Sequence, residues 1–89
     1  MRVAWTRGAQ EDARNLVLGL HEHSPAAARA LAEEFALAAE RLSDFPRLGV
    51  QADDHGHRYL LVARGRYRLI YRLDGDTLRI LGLSRSGRP

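Results

Sequence analysis

Five arginines fall between positions 58 and 73 with no acid among them: Arg58, Arg64, Arg66, Arg68 and Arg72. Guanidinium groups grip phosphates and carboxylates through paired N–H donors, so this array has the chemistry to hold an anionic partner. Residues 66–73 read RYRLIYRL, the clearest strand pattern in the chain. Alternation puts Tyr67, Leu69, Tyr71 and Leu73 on one side and Arg66, Arg68, Ile70 and Arg72 on the other. The three arginines are then spaced about 7 and 13 Å apart along the strand. Arg58 and Arg64 on the neighbouring strand enlarge the patch, and Arg85 in the tail joins the residues expected to meet a partner. The competing reading is a solvated outer face, kept charged to discourage edge-to-edge aggregation. The absence of any nearby acid favours the binding role.

Other residue types give weaker patterns. His21-x-His23 and the run Asp53-Asp54-His55-Gly56-His57 contain first-row-metal ligand types, but both sit at segment ends, and alternating loop residues do not fix a tetrahedron. His55 or His57 beside Asp53 or Asp54 has the makings of a general base, yet no nucleophile accompanies it. Tyr59, Tyr67 and Tyr71 are expected to be half-buried core residues with hydroxyls reaching solvent. Trp5 and Phe35 are expected in the core. Gly82 and Gly87 stand alone and make no phosphate loop. No metal or cofactor is expected.

The elements that must position these residues change period halfway along the chain. Residues 1–5 read as a short strand. Thr6 stands at a helix N-cap before an apolar set at Ala9, Ala13, Leu16, Val17 and Leu20, with Glu11 and Asp12 suited to the positive end of the helix dipole. Ser24-Pro25 restarts a second helix with the stripe Ala28, Leu31, Ala32, Phe35, Ala38, Ala39 and Leu42, which stops at Asp44-Phe45-Pro46. So short a connection requires an antiparallel helical hairpin. Residues 49–56 read as a polar loop, 58–63 as a strand, Gly65 as a tight turn, 74–76 as an Asp-Gly hairpin turn, 77–83 as a last strand and 84–89 as a tail. The expected fold is α+β: an N-terminal strand, a helical hairpin and a three-stranded antiparallel sheet with the hairpin on one face.

Composition bounds the rest. The 89 residues suffice for one domain with a thin core. There is no cysteine, which excludes a disulfide scaffold and a thiol nucleophile and fits a reducing cytoplasm. Apolar runs are far too short to span a bilayer. All fourteen basic residues are arginine. Positions 1–46 hold five against seven acids, a balance of −2, whereas positions 47–89 hold nine against four, a balance of +5. A basic second half points to nucleic acid or an acidic protein as partner.

The order of signals resembles the ParE/RelE superfamily of toxins from bacterial type II toxin–antitoxin systems. The resemblance rests on Trp5-Thr6, the Ala9…Asp12…Leu16 helix, the exit Leu42-x-x-Phe45-Pro46-x-x-Gly49, Arg58-Tyr59-Leu60, the strand Tyr67-Arg68-Leu69-Ile70-Tyr71-Arg72 and Leu78-x-Ile80-Leu81. It implies one of two activities. RelE-like members are ribosome-dependent mRNA endonucleases, and Arg68 matches the arginine they place at the scissile phosphate. Their paired strand lysines match Tyr59 and Leu61 here, and no tyrosine follows the last strand. ParE-like members inhibit DNA gyrase without hydrolysing anything. Many carry a histidine where this chain has Ser84, but the uninterrupted hairpin and the Phe45-Pro46 exit resemble that branch. The resemblance therefore implies a toxin of the plasmid-stabilisation type, directed at DNA gyrase and held in a heteromeric complex by a ParD-like antitoxin. An mRNA endonuclease using Arg68, or a non-toxic antitoxin-binding subunit, is the alternative.

Overall fold

Each helix begins where a hydroxyl replaces a missing backbone partner. Thr6 Oγ accepts the Ala9 N–H, and Ser24 Oγ accepts the Ala27 N–H, both at 3.1 Å. In the computed structural model, which describes residues 1–87, helix α1 spans Arg7–His21 and α2 spans Pro25–Asp44. The strands are β1 Arg2–Trp5, β2 Val50–Gln51, β3 His57–Val62, β4 Tyr67–Asp74 and β5 Thr77–Arg85. They form one sheet in the order β1-β5-β4-β3-β2. The expected α+β architecture is present: N-terminal strand, helical hairpin, antiparallel strands.

The hairpin lies on one face of the sheet, where the alternation of β4 sends Tyr67, Leu69 and Tyr71 into the core. Leu42, Leu69, Tyr71, Leu78 and Ile80 are fully buried there. Phe35 meets Tyr67 edge to face at 5.7 Å between ring centroids. β1 pairs with β5 in parallel, Val3 opposite Leu78 and Trp5 opposite Ile80, so first and last strands are neighbours. The start of β1 is also tied to the end of α2, since the Met1 ammonium donates to Ser43 O and Ser43 Oγ donates to Met1 O.

Three details depart from the sequence expectations. The segment read as a polar loop contains β2, whose Val50 and Gln51 pair with Tyr59 and Arg58. A two-residue strand carries no periodicity, and only its neighbour defines it. β5 runs on through Ser84 and Arg85, residues expected in a tail, because Tyr67 and Arg68 of β4 are long enough to pair with them. Of the rest of that expected tail, Arg88 and Pro89 lie outside the described residues. Finally, Asp12 is no ornament of the helix dipole. β1 ends opposite Ile80, leaving the next part of β5 with an open edge, and Asp12 Oδ2 accepts the Leu83 N–H there at 3.0 Å.

Asp12→Ala removes the acceptor that the part-buried Leu83 amide finds among the described residues and is expected to cost about 1–3 kcal/mol. Asp12→Asn retains a carbonyl acceptor and is expected to cost less. Urea denaturation of the two variants checks the difference.

Candidate functional site

The face of the sheet turned away from the helices carries its side chains in three rows fixed by strand register. One row runs His57–Arg72–Arg79, the second Val50–Tyr59–Ile70–Gly82, and the third Leu61–Arg68–Ser84. A register shift between Ile70 and Tyr71, opposite Leu81, separates the first row from the other two on β5. The face is therefore an apolar stripe with Arg72, Arg79 and His57 along one side and Arg68 on the other. Arg68 lies over the Tyr59 ring with its guanidinium carbon 4.9 Å from the centroid, a cation–π contact. Its Nε is buried and has no hydrogen-bond partner among the described residues. Arg72 is exposed and enters no ion pair among the described residues. Arg79 pairs with Asp74 at 3.0 Å, an exposed contact of small energetic weight.

The arginines singled out from the sequence do not share this face. Arg68 and Arg72 do, and Arg79 joins them, a residue that sequence reasoning passed over. Its signal was the Asp-Gly turn, which sets Arg79 opposite Arg72 once the hairpin register is fixed. β4 begins at Tyr67, so Arg66 belongs to the preceding turn. Arg64, Arg66 and Arg85 gather at the far end of the sheet, where they line clefts beside Leu20 and Tyr67. Ala63 and Arg64 adopt positive φ (53° and 62°) in this turn and precede Gly65 at 82°. Only the glycine suits that region without cost, so the turn is strained where it displays Arg64.

Arg58 faces the other way. It pairs in register with Tyr71, on the helix side, and its Nη2 donates to Gly49 O at 2.8 Å and Arg47 O at 3.2 Å. Tyr71 completes this clamp on the exit from α2. Its hydroxyl donates to Pro46 O at 2.8 Å and accepts the Gly49 N–H at 2.9 Å. The expectation that the tyrosine hydroxyls reach solvent fails at Tyr71, because the loop that follows α2 needs a buried partner for its backbone and this hydroxyl is it. The Phe-Pro-x-x-Gly segment is thus a docking motif for that loop.

Asp53 and His57 form a defined pair. Asp53 Oδ2 lies 2.7 Å from His57 Nδ1, and Asp53 Oδ1 accepts the backbone N–H groups of His55 and His57 at 2.8 and 3.2 Å. The hydrogen bond to His57, followed by those two backbone donors, lowers the Asp53 pKa from 3.8 to about 2. A carboxyl lowered on folding stabilises the folded state above its ordinary value, and that contribution is lost as pH falls from about 4 through about 2. His57→Ala is expected to move the Asp53 titration midpoint back up toward 3.8, as read by carboxyl-carbon NMR. His21, His23 and His55 are exposed. Among the described residues no group of three or more His, Asp or Glu is placed to hold a metal ion, and no helix is long and apolar enough to cross a membrane.

The helical hairpin carries a separate surface feature. Trp5, Ala13, Val17, Ala32, Phe35 and Ala36 line an apolar groove of about 370 Å³ where α1 and α2 meet β1. Alanines on the facing helices keep it open, since they fill little of the space between the two backbones.

A protein-family model described as the ParE toxin of type II toxin–antitoxin systems, parDE, matches residues 3–88. Among solved structures, the chain is similar to the chromosomal ParDE toxin–antitoxin system from P. aeruginosa. That match has a TM-score of 0.83 and 22% identity, covering 96% of this chain and 95% of the other. It is also similar to the toxin–antitoxin complex RelBE2 from Mycobacterium tuberculosis, with a TM-score of 0.60 and 29% identity over 94% of this chain and 95% of the other. No curated protein matches significantly. The family match spans nearly every element described above, and the chain belongs to the ParE family of type II toxins within the ParE/RelE superfamily.

Proposed function

We propose that this toxin inhibits DNA gyrase in the cytoplasm and is neutralised by a cognate ParD-like antitoxin in a heteromeric complex. The observation that carries the reading is the ParE family match across residues 3–88. Two surfaces support the antitoxin half of it. The apolar groove between α1 and α2 takes apolar side chains of a segment that folds on binding. The basic residues of the outer sheet face, with Arg68 and Arg72, and the end cluster Arg64, Arg66 and Arg85 attract its acidic residues. Arg58 serves this surface indirectly by holding the loop that leads into β2. These arginines act as electrostatic contacts rather than catalysts.

The test is a supercoiling and cleavage assay with purified protein, gyrase and plasmid, with and without ATP. Accumulation of linearised plasmid is the expected result. No effect at micromolar protein overturns the gyrase target, and cleavage of mRNA on translating ribosomes would then assign the activity to Arg68 and its face.

A further inference from the structure

β1 lies at one end of the strand order and β2 at the other, where its outer edge is open. Ala52 N–H donates to His57 O at 2.8 Å, and alternation makes the next such pair Val50 with Tyr59. The N–H and C=O of Gln51, between them, therefore point away from β3 and have no partner among the described residues. Sheet edges are normally blunted by a charge, a proline or a bulge. The run Leu48-Gly49-Val50-Gln51-Ala52 carries neither charge nor proline, and Leu48 and Val50 are exposed on it at 44% and 52%. Nor is its backbone loose. The Tyr71 hydroxyl holds it at Pro46 and Gly49, and Arg58 holds it at Arg47 and Gly49. An apolar edge with free backbone groups on a fixed chain is preorganised to receive another strand.

The charges that flank β2 decide which strand fits. Arg47 precedes it and Asp54 follows it; both are exposed, and neither enters an ion pair among the described residues. A strand running antiparallel to β2 matches it when its own order is also basic, apolar, acidic, and β2 with its flanks has that order. We propose that a second copy of this chain pairs with the first through β2, antiparallel about a two-fold axis at Gln51, giving one sheet with five strands from each copy. The two Gln51 residues exchange both backbone hydrogen bonds across the axis. Val50 stands opposite the other copy's Ala52, and Leu48 extends the apolar seam. Arg47 lies four residues before the axis and Asp54 three after it. Each arginine then meets the other copy's aspartate with an offset of about 3.4 Å, which its side chain spans. So short a seam buries less than a standard interface, and the dimer is weak, with a Kd on the order of 100 μM. The groove between α1 and α2 includes Trp5 of β1, at the opposite edge, and stays open in the dimer. The pairing is therefore independent of the antitoxin and gyrase readings.

The experiment is sedimentation velocity of the full-length protein at low salt, from about 10 to about 500 μM, with exchange of the Gln51 amide followed by NMR at both ends of that range. The expected result is a reversible monomer–dimer equilibrium in which the Gln51 N–H exchanges more slowly at high concentration. Arg47→Glu and Asp54→Arg each set like charges against each other at both contacts, and each is expected to weaken the dimer about tenfold. Mixed in equal amounts, the two variants are expected to restore it, because both contacts of the mixed pair then join opposite charges. Both residues are exposed and make no side-chain ion pair among the described residues, so the variants leave the fold in place. Three results overturn the proposal: a monomer throughout the range, a dimer whose Gln51 amide exchanges freely, or variants that associate no better mixed than alone. Protection of Gln51 that appears only with the cognate antitoxin present also overturns it and gives the edge to that partner.

Discussion

Gly49→Ala is expected to lower the melting temperature by roughly 12 °C or more, a large share of the stability of so small a domain. A Cβ at this position would stand 2.5 Å from Tyr59 O and 2.8 Å from both the hydroxyl and a ring carbon of Tyr71. Neither neighbour yields easily. Tyr59 O belongs to the backbone of β3 and Tyr71 is fully buried, held by hydrogen bonds to Pro46 and to Gly49 itself. Relief requires the loop to lift off, which also removes the Arg58 bonds to Gly49 and Arg47. Overpacking of this kind costs about 3 kcal/mol or more, and about 1 kcal/mol corresponds to ~4–8 °C at this chain length. Tyr71→Phe tests the same joint from the other side. It strands the Gly49 N–H and the Pro46 carbonyl, and a loss of about 1–3 kcal/mol is expected. Gly19→Ala is the contrasting case. Nothing lies within 4 Å of a Cβ there, and in the body of α1 alanine is expected to stabilise by about 0.5–1 kcal/mol. Scanning calorimetry of the three variants checks all of these, and an unchanged melting temperature in Gly49→Ala would show that the loop is not held by the Tyr71 joint.

The second large effect concerns binding. Arg68→Glu with Arg72→Glu is expected to weaken the antitoxin or gyrase complex by about 2–5 kcal/mol, at least about thirtyfold in Kd. Most of that loss is assigned to Arg68, which is partly buried against Tyr59 and becomes fully desolvated under a partner. Arg72 is exposed, so its reversal is expected to act more on the association rate and its salt dependence. The fold is expected to survive, because the cation–π contact given up with Arg68 is worth about 0.5–1 kcal/mol. Titration calorimetry against the cognate antitoxin, with thermal melts of the free variants alongside, separates binding from folding. Unchanged affinity and unchanged toxicity in the double variant would remove the outer sheet face from both interfaces.

Sequence alone determined the elements whose causes are local. Ser24-Pro25 starts a helix because a hydroxyl cap and a preset φ act within three residues. Phe45-Pro46 stops it because proline excludes the helical region for its neighbour. The alternation of residues 66–73 and the Asp-Gly turn were legible for the same reason. So was the family, through the order of these pieces. Tertiary structure decided whatever depends on residues far apart in the chain. Asp12 found the Leu83 amide across 71 residues because β1 ends opposite Ile80, before β5 reaches Leu83, and no local pattern records that. Arg58 and Arg68 look alike in sequence, but register turns one toward the exit loop and the other onto Tyr59. Arg66 left the stripe because a turn with three positive φ values begins β4 one residue later than alternation implied. Asp53 and His57 appeared as one of several equivalent acid–histidine combinations. The fold of the loop selected this pair by giving Asp53 two backbone donors, and the pairing of β3 with β4 set the ring beside Arg72. A strand's alternation says which residues share a side, but only its neighbours decide what that side faces.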